Sequence, residues 1–404
     1  MGPTDHSSRP FLSRLVLKDY KSIGTCDIEL APFTALVGPN GAGKSNILDS
    51  LRFIAESLRN SLEFAVRDRG GIDEVRRRSS GHPRHFAVRV DIGLPSGERS
   101  TYSFEIGSET AGGYGVTHEQ CIVGIPGKRW SKFEVRNGEL TESNLNLQAR
   151  VEPDRLYLGA VSGTHEFRGV YDSLRRMNVY NINPNRVREL QDPDPSDILL
   201  RDGSNAASIL KLLSKNSPEA RARIEEYLEA VVPGVKGVSP KSLGPKETVE
   251  FRQDVGAKNP WKFYASSMSD GTLRALGVLL AVFQGKGGAY GRAPLVGIEE
   301  PESALHPAAA TTLAEATIEA SKGTQVIVTS HSPELLDLSE IGENNILGVV
   351  SENGTTQVAR VIEGSRKALR QGLFTAGELL RMEQLMPCRE DNGRQLPLFP
   401  RELT

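Results

Sequence analysis

The sequence predicts an α/β fold, a mixed sheet with flanking helices into which a β-meander and a helical arm are inserted. Three observations predict it. First, the apolar run Thr34 to Val37 leads through Gly38-Pro39-Asn40-Gly41-Ala42-Gly43-Lys44-Ser45 into a segment, Asn46 to Glu56, with Ile47, Leu48, Leu51, Ile54 and Ala55 at helical spacing. Strand, glycine loop and helix follow one another. Second, Ser266 to Val350 reads as helix, strand, helix, strand, helix, strand, the order of a parallel α/β sheet. Third, Phe86 to Ile92, Ser100 to Ile106, His118 to Val123 and Trp130 to Val135 alternate with period two between glycine turns, which predicts the meander.

The remaining elements follow in order. Phe11 to Leu17 and Cys26 to Leu30 alternate like two antiparallel strands around a turn at Asp19-Tyr20-Lys21-Ser22. A basic loop, Arg67 to Arg84, follows the first helix. Glu166 to Tyr180, Ala206 to Leu213 and Pro218 to Val232 have helical periodicity, and Val235 to Phe263 is β-rich. The expected organisation is an N-terminal lobe over 11–160, a helical arm over 161–235, a C-terminal lobe over 236–386 and a flexible tail over 387–404. Within 364–386, the spacing of Leu373, Leu379, Leu380 and Leu385 suits helices that pack on the core or dock a partner.

Composition sets outer bounds. With 404 residues the chain is long enough for more than one lobe. Its net charge of −2 carries no global basic signature, so any DNA contact rests on a local patch. Cys26, Cys121 and Cys388 show neither metal-ligand spacing nor an even disulfide count, as expected of a reduced cytoplasmic protein. Neither an export signal nor an 18-residue apolar run is present, so no membrane association is expected.

The octapeptide fits G-x-x-x-x-G-K-[ST], the phosphate-cradling P-loop. Glycines let consecutive N–H groups turn towards phosphate oxygens. Lys44 would neutralise the β- and γ-phosphates, Ser45 would offer its hydroxyl to Mg²⁺, and the helix N-terminus adds positive potential. Gly38, Asn40, Gly41, Gly43, Lys44, Ser45 and Asn46 are the candidate nucleotide contacts, with ATP and Mg²⁺ as cofactors.

Four further segments stand in order behind it. Leu295-Val296-Gly297-Ile298-Glu299-Glu300-Pro301-Glu302 is an apolar strand ending in acids, as in a Walker B element. There Glu299 would hold Mg²⁺, directly or through water, and Glu300 would orient or deprotonate the attacking water. Ser267-Met268-Ser269-Asp270-Gly271-Thr272 precedes an apolar helix, where Ser269 or Asp270 also fits as a plain N-cap. Ser303-Ala304-Leu305-His306-Pro307 and Thr329-Ser330-His331-Ser332 follow.

Together these residues resemble ABC-type ATPases of the RecF, OLD and SMC-like group, over roughly 11–60 and 264–350. The resemblance makes Ser269-Asp270-Gly271 the signature, Ser303 to Pro307 the D-loop and His331 the γ-phosphate sensor. Leu17 to Ser22 is similar to the asparagine-phenylalanine-arginine-serine turn of that group, with Lys21 in place of the nucleotide-contacting arginine. Two features depart from transporter subunits. Ser269 lies 225 positions beyond Lys44, and no glutamine occurs between Ser45 and Glu119 to serve as the Q-loop ligand of Mg²⁺. In the family the signature serine and glycine contact ATP held by the other protomer. The resemblance therefore implies that ATP joins protomers head to tail, as a dimer or higher oligomer, with Ser269 and Gly271 acting in trans. It further implies work in DNA repair or phage defence with a separate effector such as a nuclease, and possible DNA contact through Arg76 to Arg78, Arg175 and Arg176, or Arg186 and Arg188. About fifty residues follow the last strand, so a nuclease domain is not expected in this chain. A nucleotide-gated scaffold with slow hydrolysis and, behind it, a transport ATPase subunit stay open as alternatives.

Overall fold

The computed structural model describes residues 10–403 apart from 80, 82, 109–112, 126, 129, 285–292 and 389–396. The strands Leu12–Tyr20 (β1), Ile23–Glu29 (β2) and Phe33–Val37 (β3) lead into helices Lys44–Arg59 (α1), Leu62–Arg67 (α2) and Ile72–Val75 (α3). A meander follows: His85–Gly93 (β4), Arg99–Ser108 (β5), Tyr114–Gly124 (β6), Trp130–Arg136 (β7) and Glu139–Ser143 (β8). Helices Tyr157–Ala160 (α4) and His165–Leu174 (α5) precede strand Asn178–Tyr180 (β9) and helices Pro184–Arg188 (α6), Ala206–Asn216 (α7) and Pro218–Val231 (α8). Then come Val235–Leu243 (β10), Lys246–Gln253 (β11), Trp261–Tyr264 (β12), Asp270–Phe283 (α9), Leu295–Glu299 (β13), Pro307–Ser321 (α10), Gln325–Ser330 (β14) and Pro333–Leu336 (α11). Ile346–Glu352 (β15), Thr355–Arg360 (β16), Glu363–Arg370 (α12) and Ala376–Arg381 (α13) complete the order.

The chain divides into two compact units, the first formed by the described residues up to Met177, Asn344–Gly364 and those from Leu385, the second by Asn178–Glu343 and Ser365–Gln384. In the first unit the strand order is β8-β7-β6-β5-β4-β1-β2-β16-β15-β3. Antiparallel pairs make up the meander, whereas β15 runs parallel to β3 and β16 parallel to β2, so the sheet is mixed. The meander continues this sheet, because β4 pairs along β1 from Leu12↔Ile92 to Lys18↔Ala87. Helix α1 buries Ile47, Leu51, Ile54 and Leu58 along one stripe, with Leu48 and Phe53 buried on either side of it. Phe53 packs edge-on against Tyr20 and Phe86, centroids 6.1 and 5.5 Å away, which ties the helix to both β1 and β4.

In the second unit β13 lies between β14 and β9, parallel to both, and β10, β11 and β12 form a separate antiparallel sheet. Helix α9 is buried almost all round from Thr272 to Phe283, the mark of a central helix. Among the described residues no helix is long and apolar enough to cross a membrane.

Three expectations change. The helix expected over Glu166 to Tyr180 stops at Leu174, and Asn178–Tyr180 is instead β9, buried beside β13. Three residues are too few to carry a strand period. The segment 161–235, expected as one arm, is shared between the two units. The tail, expected to be flexible, is anchored over its described residues 397–403: Arg89 donates to the Pro397 carbonyl at 2.6 Å and Phe399 stacks on His118. In 364–386, Leu379 and Leu385 are buried while Leu373 is 64% exposed.

Candidate active site

The first unit carries the P-loop at the junction of β3 and α1. Backbone geometry dictates its glycines. Gly43 caps α1 at φ +100°, and a Cβ there would strike the Thr356 hydroxyl of β16. A Cβ on Gly38 would collide with the carbonyl oxygen of Val349 in β15. Gly41, at φ +77°, faces open space. Lys44 is buried, and its Nζ donates to the Gly38 and Pro39 carbonyls at 2.7 and 3.0 Å, which curls the lysine over its own loop. Asn40 and Ser45 are exposed.

A hydrogen-bond chain braces the loop from below. Asn46 Nδ2 donates to Ser22 Oγ at 2.7 Å, the Ser22 and Thr356 hydroxyls are 2.6 Å apart, and Thr356 Oγ1 donates to the Ala42 carbonyl at 3.0 Å. Sequence reading missed Thr356, since nothing in the text of β16 marks it. Lys21 adopts φ +48°, and its Nζ lies 2.5 Å from Asp49 of α1. Asp49 also accepts from Arg69, Arg52 and the Tyr20 hydroxyl. Burial alone would raise the Asp49 carboxyl, but Arg69 and Lys21 outweigh it and hold it far below the usual carboxylate range. Lys21 is thus committed to a carboxylate five residues beyond Lys44.

The second unit gathers the other motifs around the end of β13. Glu300 stands at φ +42°, a left-handed conformation that a non-glycine residue rarely adopts. Its N–H is held by the Thr329 carbonyl and hydroxyl at 3.1 and 3.2 Å, so β14 enforces the turn. The Glu300 carboxylate accepts from Ser303 Oγ at 3.3 Å and lies 3.6 Å from His331 Nδ1. The Walker B, D-loop and switch residues therefore meet on one carboxylate. Glu299 pairs with Arg201 at 3.0 Å, a partner from the loop after Leu200. Ser269 caps α9 by accepting from Thr272 N at 3.2 Å, so the N-cap reading holds whatever else the serine does. Gly271 faces the D-loop so closely that a Cβ would sit 2.6 Å from the Ala304 carbonyl oxygen.

Other candidates are already engaged. Arg188 donates to Met268 O at 3.2 Å and pairs with Asp270, bracing the signature loop. Arg76 pairs with Asp73, Arg77 with Thr355, Arg78 with Glu74, Arg175 with Asp172 and Arg186 with Glu189. The first glutamine after Ser45, Gln120, is buried in the meander and donates to Glu134, so it supplies no Q-loop ligand.

A family model described as "AAA domain, putative AbiEii toxin, Type IV TA system" matches residues 33–337. The chain belongs to this family. The match takes in the P-loop, the signature, the Walker B strand and the switch histidine. The DNA replication and repair protein RecF of Aliivibrio fischeri (strain MJ11) is 43% identical over 54 residues, 13% of this chain and 15% of that protein. The chromosome partition protein Smc of Halothermothrix orenii is 48% identical over 59 residues, 13% of this chain and 5% of that protein. The chain thus matches under a fifth of the length of these curated relatives. Among solved structures, an Smc head with an extended coiled coil bound to the C-terminal domain of ScpA, from Pyrococcus furiosus, has a TM-score of 0.55 at 15% identity, covering 91% of this chain and all of that one. An SmcHead bound to the C-winged helix domain of ScpA has a TM-score of 0.54 at 18% identity, covering 88% and 99%. The family member thus has the mixed α/β architecture of SMC heads, and its short matches to RecF and Smc run in the direction that the ordered motifs implied.

Proposed function

We propose that the chain hydrolyses ATP as a molecular switch, with each site completed by a second protomer. The observation that carries this reading is the Glu300 carboxylate, fixed in a left-handed turn between Ser303 and His331. A carboxylate so placed, beside a histidine, suits orienting or deprotonating a water that attacks a γ-phosphate. Gly38 to Asn46 would cradle the phosphates, Lys44 would leave its carbonyls for them, and Lys21 would stay near through Asp49. Ser45 and Glu299 offer the hard oxygens that Mg²⁺ prefers, and Mg²⁺ so held would neutralise phosphate charge.

Ser269 and Gly271, at the N-terminus of α9, would meet ATP held by a partner copy, so ATP would favour a head-to-tail dimer or larger assembly and hydrolysis would release it. The relatives named for DNA repair and chromosome partition support a cytoplasmic role on DNA or in defence against foreign nucleic acid. The solved SMC heads carry a ScpA domain, which supports docking of a separate effector here, such as a nuclease. The Arg201–Glu299 ion pair favours a second reading, a slow nucleotide-gated scaffold, because it places a cation on the candidate metal ligand.

The test is ATP turnover together with oligomeric mass for wild type and Glu300→Gln, with and without double-stranded DNA. The switch reading expects Glu300→Gln to lower turnover by about 10²-fold or more and to hold an ATP-dependent assembly. Normal turnover in that variant would remove Glu300 from the chemistry. Wild-type turnover that is barely measurable beside stable ATP-dependent assembly would favour the scaffold.

A further inference from the structure

The ATPase reading leaves one acid of the Glu299-Glu300-Pro301-Glu302 cluster without a role. Glu302 is 6% exposed, far more buried than a solvated strand end. Its Oε1 accepts from Ser330 Oγ at 2.6 Å and from the His331 backbone N–H at 3.4 Å. Its Oε2 is buried without a hydrogen-bond partner. On the signature helix, one turn beyond Gly271, the Nε of Arg274 is likewise buried without one. Burial draws the Arg274 guanidinium down, and the negative charges of Glu300 and Glu302 act against it. Burial also raises the Glu302 carboxyl, with Ser330 opposing. A half-satisfied buried carboxylate costs stability, and an apolar residue of similar size would serve packing better. What the carboxylate does supply is a grip on the loop that carries His331.

We propose that Glu302 is a positioning residue that holds the switch-histidine loop through Ser330 and the His331 N–H. This deepens the ATPase reading and rests on it. On that reading His331 serves the nucleotide of its own protomer. It touches no reacting atom, so its loss should alter the rate of the chemical step and spare ATP binding.

The experiment compares wild type, Glu302→Ala, Ser330→Ala, the double variant and Glu302→Gln, reading kcat and KM for ATP, ATP-dependent mass and the unfolding midpoint. The expected result is a fall in kcat of about 10-fold or more in each single alanine variant, with no further fall in the double, because both residues act through one hydrogen bond. KM and ATP-dependent mass should stay as in wild type. Glu302→Gln keeps an acceptor oxygen in the same volume and should recover most of the lost kcat, which a mere packing defect would not allow. Unchanged kcat in Glu302→Ala, multiplicative losses in the double variant, or losses that track the unfolding midpoint would overturn the proposal. Absence of turnover in the wild type would instead overturn the ATPase reading, and the proposal with it.

Discussion

The two units handle their polar groups in opposite ways. Around the P-loop, nearly every group is satisfied internally: Lys44 by loop carbonyls, Asn46, Ser22 and Thr356 by one another, Lys21 by Asp49. The second unit holds Glu300 in a strained backbone and leaves it 39% exposed beside a 42% exposed His331. One unit is built as a rigid mould, the other as a set of groups aimed outward. Strain and exposure at Glu300 are what the proposed reactive role would require, whereas in the first unit the strained Lys21 is tied down by Asp49 and the loop glycines serve close fit.

Three substitutions would break or sharpen that contrast. The largest effect is expected at Gly38. Gly38→Ala forces a Cβ into a backbone carbonyl that cannot swing away, so it should destabilise the first unit by about 3 kcal/mol or more and abolish nucleotide binding. Chemical denaturation and a fluorescent-ATP titration read both. If Gly38→Ala folds and binds normally, the mould is softer than its geometry.

Next is Arg69→Leu, which strips Asp49 and Glu56 of a buried partner and should cost about 3 kcal/mol at neutral pH. The pH dependence follows from Asp49. Its folded-state value is depressed, so the stability it contributes is fully present above the ordinary carboxylate range and is lost as pH falls through that range towards its folded value. The gap between wild type and variant should therefore narrow on acidification. A gap that stays constant in acid would show that Arg69 acts through packing on Phe53 instead.

The smallest effect has the opposite sign. Glu300→Gly relieves a positive φ and should raise the stability of the second unit by about 1 kcal/mol while removing turnover. A stability loss there would mean that the contacts of the Glu300 side chain outweigh its strain.

How much of this could be read beforehand depended on distance along the chain. The P-loop, Walker B strand, D-loop and switch loop are each contiguous, so residue type and order made the fold class visible and named the candidate site residues. What escaped notice is what the fold assembles from afar. Ser22 and Thr356 meet across 334 positions, Arg201 reaches Glu299 across 98, and Glu302 grips Ser330 across 28. None sits in a pattern that local spacing can flag. Strand β9 was hidden by its three-residue length, and the anchorage of Phe399 by a polar, proline-bearing context that resembles a free tail.

The central claim is that the two kinds of half-site meet between copies of the chain. Mixing two inactive variants tests it most directly. Lys44→Ala disables the P-loop and Ser269→Arg the signature, and each alone should show almost no ATP turnover. When the two are combined, a mixed dimer joins the intact P-loop of one chain to the intact signature of the other. The account predicts that turnover returns on mixing, approaching the level of one working site in each mixed dimer. A mixture as inactive as its separate components would place the signature in cis and contradict it.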